Sequence, residues 1–322
     1  MIKINKDRIE INGYSITNTA NGVEINGNFE YGGDIPPPPP MAGTVSGYTS
    51  GGRTPTTINT IDKFPFATDS NATDVGDLTQ ARRGSAGQSS SENGYTSGGS
   101  EPPSVNTIDK FPFATDANAT DVGDLTVARS RSAGQSSTEN GYTSGGLPTT
   151  NVIDKFPFAT DANATDVGNL TQIRWGPAGQ SSSENGYTSG GRSPPPDVNT
   201  IDKFPFATDA NATDVGDLTQ ARYGPAGQSS SENGYTSGGI SPPIFYNTID
   251  KFPFATDANA TDVGDLTVAR YSSGGQSSTE SGYTSGGLAP SGIVNTIDKF
   301  PFATDTNATD VGDLTQARYY VA

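Results

Sequence analysis

Cysteine and histidine are both absent from the 322 residues. Together these absences remove disulfides, thiolate chemistry, imidazole bases and the commonest zinc and copper ligands. Apolar residues make up only 31% of the chain, with one tryptophan, against 40 glycines and 23 prolines. That balance disfavours a helical solenoid and favours many short strands joined by turns. Positive charge is also scarce: 19 Lys and Arg against 35 Asp and Glu leave a formal charge of −16. An evenly acidic surface repels phosphate backbones, so no nucleic-acid partner is expected. Residues 1–14 alternate polar and apolar side chains without an unbroken apolar run, which gives the expectation of neither a secretory signal nor membrane insertion.

What the chain does contain is repetition. Ile-Asp-Lys-Phe-Pro-Phe-Ala-Thr-Asp begins at Ile61 and returns at Ile108, Ile153, Ile201, Ile249 and Ile297, with one variant, Asn-Val-Ile, before the third copy. A second phrase, Gly-Tyr-Thr-Ser-Gly-Gly, starts at Gly47, Gly94, Gly141, Gly186, Gly234 and Gly282, so the two alternate six times with a period of 45 to 48 residues. A period in this range signals a propeller, solenoid or array. The repeat body spans residues 41–322, with units near 41–85, 86–132, 133–177, 178–225, 226–273 and 274–322.

Two segments precede it. In residues 1–33, Ile2, Ile4, Ile9, Ile11, Tyr14, Ile16, Val23, Ile25 and Phe29 fall largely at period two, with Asn12-Gly13 and Asn21-Gly22 as hairpin signals, which predicts two or three short strands. A piece below roughly 40 residues rarely folds alone without a disulfide or metal. It is therefore expected to attach the protein to other copies or to a partner. Residues 34–40 form a linker in which Pro36 to Pro40 favour a stiff polyproline rod.

Each unit reads as four strands, A to D. In the second they are residues 87–91, 95–97, 106–115 and 121–129, with Pro112 a tension inside strand C, since proline deletes a ladder donor. One unit cannot bury enough apolar surface to offset the ordering of its backbone at about 1–2 kcal/mol per residue. Stacking in a closed ring supplies the difference. The first unit is expected to open with its own strand A at residues 42–46 and the last to stop after strand D at Arg318, Tyr319 and Tyr320, so that closure needs no strand exchange.

The order Asn-Gly-Tyr-Thr-Ser-Gly-Gly, variable loop, Ile-Asp strand and Asp-Leu-Thr-x-Ala-Arg resembles the kelch repeat over about 280 residues, with Ile-Asp where kelch units have Tyr-Asp. The resemblance implies an all-β, six-bladed propeller, strand A innermost and strand D outermost. A copper oxidase of the kelch type needs histidine, tyrosine and a cysteine thioether, so no enzyme activity and no cofactor are expected.

A meander puts the A–B and C–D turns on one face and the B–C and D–A connections on the other. The first set is nearly constant among the six units; the second varies and carries Arg53, Arg83, Arg131, Trp175, Arg192, Tyr223, Phe245, Tyr246, Tyr271 and Tyr319. Arginines and aromatics on an acidic body are what a binding face presents. The alternative is that these loops vary because nothing holds them. On the constant face Asp69, Asn71, Asp74 and Asp77 gather oxygen ligands of the kind calcium takes, and equally suit an Asx-rich turn.

A dependent β-segment, a rigid spacer and a repetitive head look like a viral particle appendage, such as a marine phage tail or fibre protein. The expectation is a non-enzymatic virion component that recognises a host-surface glycan or protein and joins other virion proteins, or further copies, through residues 1–33. An intracellular kelch-like adaptor and a secreted bacterial adhesin are the alternatives, with cytoplasmic or extracellular location respectively.

Overall fold

The computed structural model describes residues 2–5, 8–11, 14–19, 22–26 and 45–322, in two compact units, Met1–Pro39 and Pro40–Ala322. The polyproline linker and the two Asn-Gly hairpin signals lie outside the described residues, apart from Gly22, where a strand begins. In the first unit Ile2–Asn5, Arg8–Ile11, Tyr14–Thr19 and Gly22–Asn26 form one antiparallel meander, a strand more than the turn signals predict. Its register puts Ile4, Ile9, Ile16 and Ile25 in one row across the sheet.

The second unit is a six-bladed β-propeller, all-β and without helix among the described residues. In the second blade the strands run Ala86–Ser89, Asn93–Ser97, Thr107–Pro112 and Thr120–Asp124, in spatial order from the axis outward. Pro112 is tolerated because it is the last residue of strand C, opposite Asn93, while the one register shift of that strand falls between Ile108 and Asp109. Asn93 and Gly94 belong to strand B, and the A–B turn is tightened by Ser90, whose hydroxyl accepts from the Glu92 and Asn93 amides.

Adjacent blades share their cores. Tyr95, Ile108 and Leu125 of one blade enclose Phe156 and Ala164 of the next, and the same set recurs around the ring. Tyr95 stacks on Phe158 at 4.8 Å between centroids. The first phrase glycine is required by this packing: a Cβ on Gly94 would lie 2.3 Å from the Phe111 ring. Each fully buried side chain of this size contributes about 1.5–3 kcal/mol.

A buried ion pair spans every blade junction. Arg82 meets Asp109, Arg129 Asp154, Arg174 Asp202, Arg222 Asp250, Arg270 Asp298 and Arg318 Asp62, with both side chains fully buried in each case. The aspartate also accepts from the backbone and hydroxyl of a threonine in the previous unit, as Asp109 does from Thr79. Burial pulls the arginine pKa values down from their ordinary position, and the facing aspartate opposes that shift. The closing arginine and the Ile-Asp strand of the repeat are thus two halves of one contact, made between units.

Ring closure differs from the sequence expectation. Ser46–Ser50 is strand B of the first blade, not the end of strand A, and the described part of that blade has three strands, with Thr60–Pro65 and Thr73–Asp77. The start of its inner position is taken by Ala322, whose N–H and C=O both pair with Ser50 at 3.1 and 3.0 Å. Ala86 pairs with Ser97 in the same way one blade on. Strand exchange therefore does close the ring. The reason is geometric: Arg318 must reach Asp62 and Thr49 across the junction, and the residues after it then fall on the inner edge of blade one.

Candidate functional site

The D–A connection of each unit turns the chain from the rim back to the axis. Gly84, Arg131, Gly176, Gly224, Ser272 and Tyr320 occupy the equivalent corner, all with φ between 55° and 67°. Glycine suits this left-handed position, and three units depart from it. Each corner amide donates to the corner carbonyl of the neighbouring blade, Gly84 to Tyr320, Arg131 to Gly84 and so on to Tyr320 to Ser272, at 2.5–2.8 Å. Six backbone hydrogen bonds thus form a closed belt around the axis.

The residue before each corner is fixed as well. Arg83, Ser130, Trp175, Tyr223, Tyr271 and Tyr319 bridge to Ser100, Leu147, Arg192, Ile240, Leu288 and Arg53, the first loop residue of the next blade. The variable loops are therefore held in place at every junction.

The belt carries a continuous row of side chains. Trp175 meets Tyr223 edge-to-face at 4.8 Å, Tyr223 meets Tyr271 at 6.0 Å, and Tyr271 meets Tyr320 at 6.4 Å and Phe245 at 5.7 Å. Arg131 lies between Trp175 and Tyr320, its guanidinium 4.9 and 4.6 Å from the two ring centroids. Arg192 covers Tyr223 at 4.8 Å and is paired with the nearly buried Asp197 at 2.8 Å. All these rings and both arginines are half-buried. Burial and the neighbouring phenols of Tyr320, Tyr223 and Tyr319 push the Tyr271 pKa up to about 12. Its hydroxyl stays a neutral donor across physiological pH.

Beneath the row lies an axial cavity of about 140 Å³, bounded by Arg131, Trp175, Tyr223 and Tyr320 above and by the starts of the inner strands. Beside it a second, of about 270 Å³, is bounded by Arg83, Ser100, Ser130, Arg131, Pro148 and Tyr320. Aromatic faces, guanidinium donors and hydroxyls converge here.

Of the residues singled out in the sequence, Arg131, Trp175, Arg192, Tyr223, Phe245 and Tyr271 come together; Tyr319 joins through Tyr320, 4.7 Å away, and Arg53 through its bridge to Tyr319. Arg83 lines the second cavity. Tyr246 stands apart, over the buried Arg222 at 5.8 Å. Tyr320 was missed, and a signal for it existed: it replaces a glycine found at that corner in three other units.

On the opposite face Asp69 and Asn71 serve the junction: Asp69 pairs with Lys299 and Asn71 accepts the Asp313 amide, while Asp74 accepts the Gly76 amide within its own strand. Among the described residues no group of three or more acidic side chains is arranged to hold a metal ion. Neither a protein-family model nor a curated protein matches this chain.

Proposed function

We propose that the belt face binds sugars of a cell envelope and that the protein is a non-enzymatic recognition component of a virus particle, a kelch-like propeller of the marine phage tail or fibre kind. One observation carries this reading. The single face whose residues differ between units carries aromatic rings and stacked arginines, whereas Lys110, Asp161 and Asn163 on the other face are engaged in contacts repeated at each junction. Flat rings suit the apolar faces of sugars, and guanidinium groups donate to hydroxyls and to acidic substituents. Residues 1–33 then serve as the attachment to other virion proteins or further copies.

Trp175 is the one tryptophan in the chain, so its fluorescence reports occupancy of the row directly. Titration with acidic envelope oligosaccharides is expected to shift its emission saturably. Substitutions borrowed from other units keep the backbone conformation: Arg131→Gly, as at Gly84, and Tyr223→Ser, as at Ser130. Each should weaken binding about thirtyfold, the loss of one anchor of about 2 kcal/mol. Glu139→Ala, in an exposed turn of the constant face, should leave it unchanged. Equal losses from all three variants, or none from the first two, would refute the assignment of the face.

A further inference from the structure

The aromatic row does not run all the way round the belt. At the position before each corner, where units three to six carry Trp175, Tyr223, Tyr271 and Tyr319, the first two carry Arg83 and Ser130. On this arc lies the cavity of about 270 Å³, bounded by Arg83 and Arg131 and by the hydroxyl-bearing residues Ser100, Ser104, Ser130 and Tyr320. Positive charge and hydroxyl donors thus gather beside the rings, in a chain whose formal charge is −16.

The two arginines are held from different blade junctions. Arg83 exchanges both backbone hydrogen bonds with Ser100, at 3.1 and 2.8 Å, and Ser100 in turn bridges to Ser104. Arg131 occupies a left-handed corner, φ 55°, where Gly84, Gly176 and Gly224 stand in other units. A residue with a side chain pays a conformational cost there that glycine does not. What the side chain does in that position is to set its guanidinium 4.9 Å from the Trp175 ring and 4.6 Å from the Tyr320 ring. Ring contacts hold a cation through its charge rather than through oxygen acceptors, so the N–H fork of Arg131 keeps its capacity for an oxyanion. Arg192 is the contrast, since its guanidinium is paired with Asp197 of its own loop at 2.8 Å.

We infer that this cavity is an oxyanion subsite that seats a sulfate monoester; that a sugar lying on the aromatic row carries the ester rests on the reading of the face given above. Three features select the group. Donors converge from two blade junctions and from the loop of blade two, which suits a tetrahedral group with three terminal oxygens better than a carboxylate, whose two coplanar oxygens a single guanidinium fork satisfies. The single charge of a sulfate monoester suits the site better than the higher charge of a phosphate monoester, because an acidic body repels a ligand in proportion to that charge. The backbone pairing of Arg83 with Ser100 and the ring contacts of Arg131 also preorganise the donors, so little further ordering is needed on binding.

The full chain is titrated at constant ionic strength with glucose 6-sulfate, glucuronate and glucose 6-phosphate, followed by Trp175 emission, and with sodium sulfate, followed by the side-chain Nε–H signals of Arg83 and Arg131 in NMR spectra. The sulfate ester is expected to bind about tenfold tighter than either other sugar, the weight of one hydrogen bond to a charged group, and sodium sulfate to shift both arginine signals. Arg83→Ser places the side chain of Ser130 at the equivalent position and leaves the backbone bridge, while Arg131→Lys keeps the charge without the fork. Each should abolish the preference with the melting temperature little changed. The inference is overturned if glucuronate or glucose 6-phosphate binds as tightly as the sulfate ester, if Arg83→Ser retains the preference, or if sulfate shifts neither arginine. Sugar binding without the preference refutes this subsite alone; arginine shifts with sulfate and no Trp175 response to any sugar refute the sugar reading of the face and leave the oxyanion subsite standing.

Discussion

Asp154→Ala is expected to destabilise the propeller by about 3–5 kcal/mol, the range for removing one partner of a buried ion pair. Arg129 Nη2 lies 3.1 Å from Asp154 Oδ2, and neither side chain has any exposure. Truncation leaves a cation without its counter-charge and orphans the Thr126 amide and hydroxyl, which both donate to that carboxylate. In a body of this size the melting temperature should fall by about 10 °C. Asp154→Asn keeps an acceptor for Thr126 but not the charge, and should fall between the two. The pair as a whole is a different matter: replacing both members by apolar residues, Arg129→Met with Asp154→Leu, should recover part of the loss, because the desolvation of both charges disappears with them while the Thr126 donors stay without their acceptor. Thermal denaturation followed by circular dichroism decides this. A loss below about 1 kcal/mol for Asp154→Ala would show that the junction is not held as described.

Removing residues 318–322 should have an effect at least as large. These residues supply Arg318 to Asp62, two backbone bonds from Ala322 to Ser50, the bridge from Tyr319 to Arg53, and the Tyr320 carbonyl that accepts the Gly84 amide in the belt. Asp62 would become an unpaired buried carboxylate, which alone costs about 3–5 kcal/mol. The neighbouring contacts close the same junction and are lost with it. Blade one should then be cut preferentially by protease around residues 45–65, and small-angle scattering should report a larger radius of gyration. A truncated chain as compact and as resistant as the full one would mean that the ring closes by the apolar cluster of Phe64, Ala72, Tyr283, Ile297 and Leu314 alone.

Blade number, strand order and the division into constant and variable faces were legible in the sequence because the units repeat the same phrases, so strands B, C and D are announced six times and strand A five. Ring closure was not. Val321 and Ala322 match Ser85 and Ala86 in position, but two residues carry no strand pattern, and their partner Ser50 lies at the other end of the repeat body. The pairing of Arg129 with Asp154 was hidden for a related reason: near-identical units reveal which residues recur but not which copy each one meets. The aromatic row was read in part, since Trp175, Tyr223 and Tyr271 share one position in the unit, whereas Arg131 and Tyr320 reach it from the following corner. That corner accommodates a side chain only at positive φ, 55° and 57°, a conformation the sequence does not announce outside glycine.

The belt with its aromatic row is proposed as the surface of the propeller that meets the ligand. Hydrogen exchange of the full chain with and without an acidic envelope polysaccharide tests it most directly. Slower exchange is expected at the corners of residues 130–132, 175–177, 223–225, 271–273 and 319–321, with no change at the C–D turns of residues 116–119 and 209–212. Protection confined to those turns, or spread equally over both faces, would contradict it.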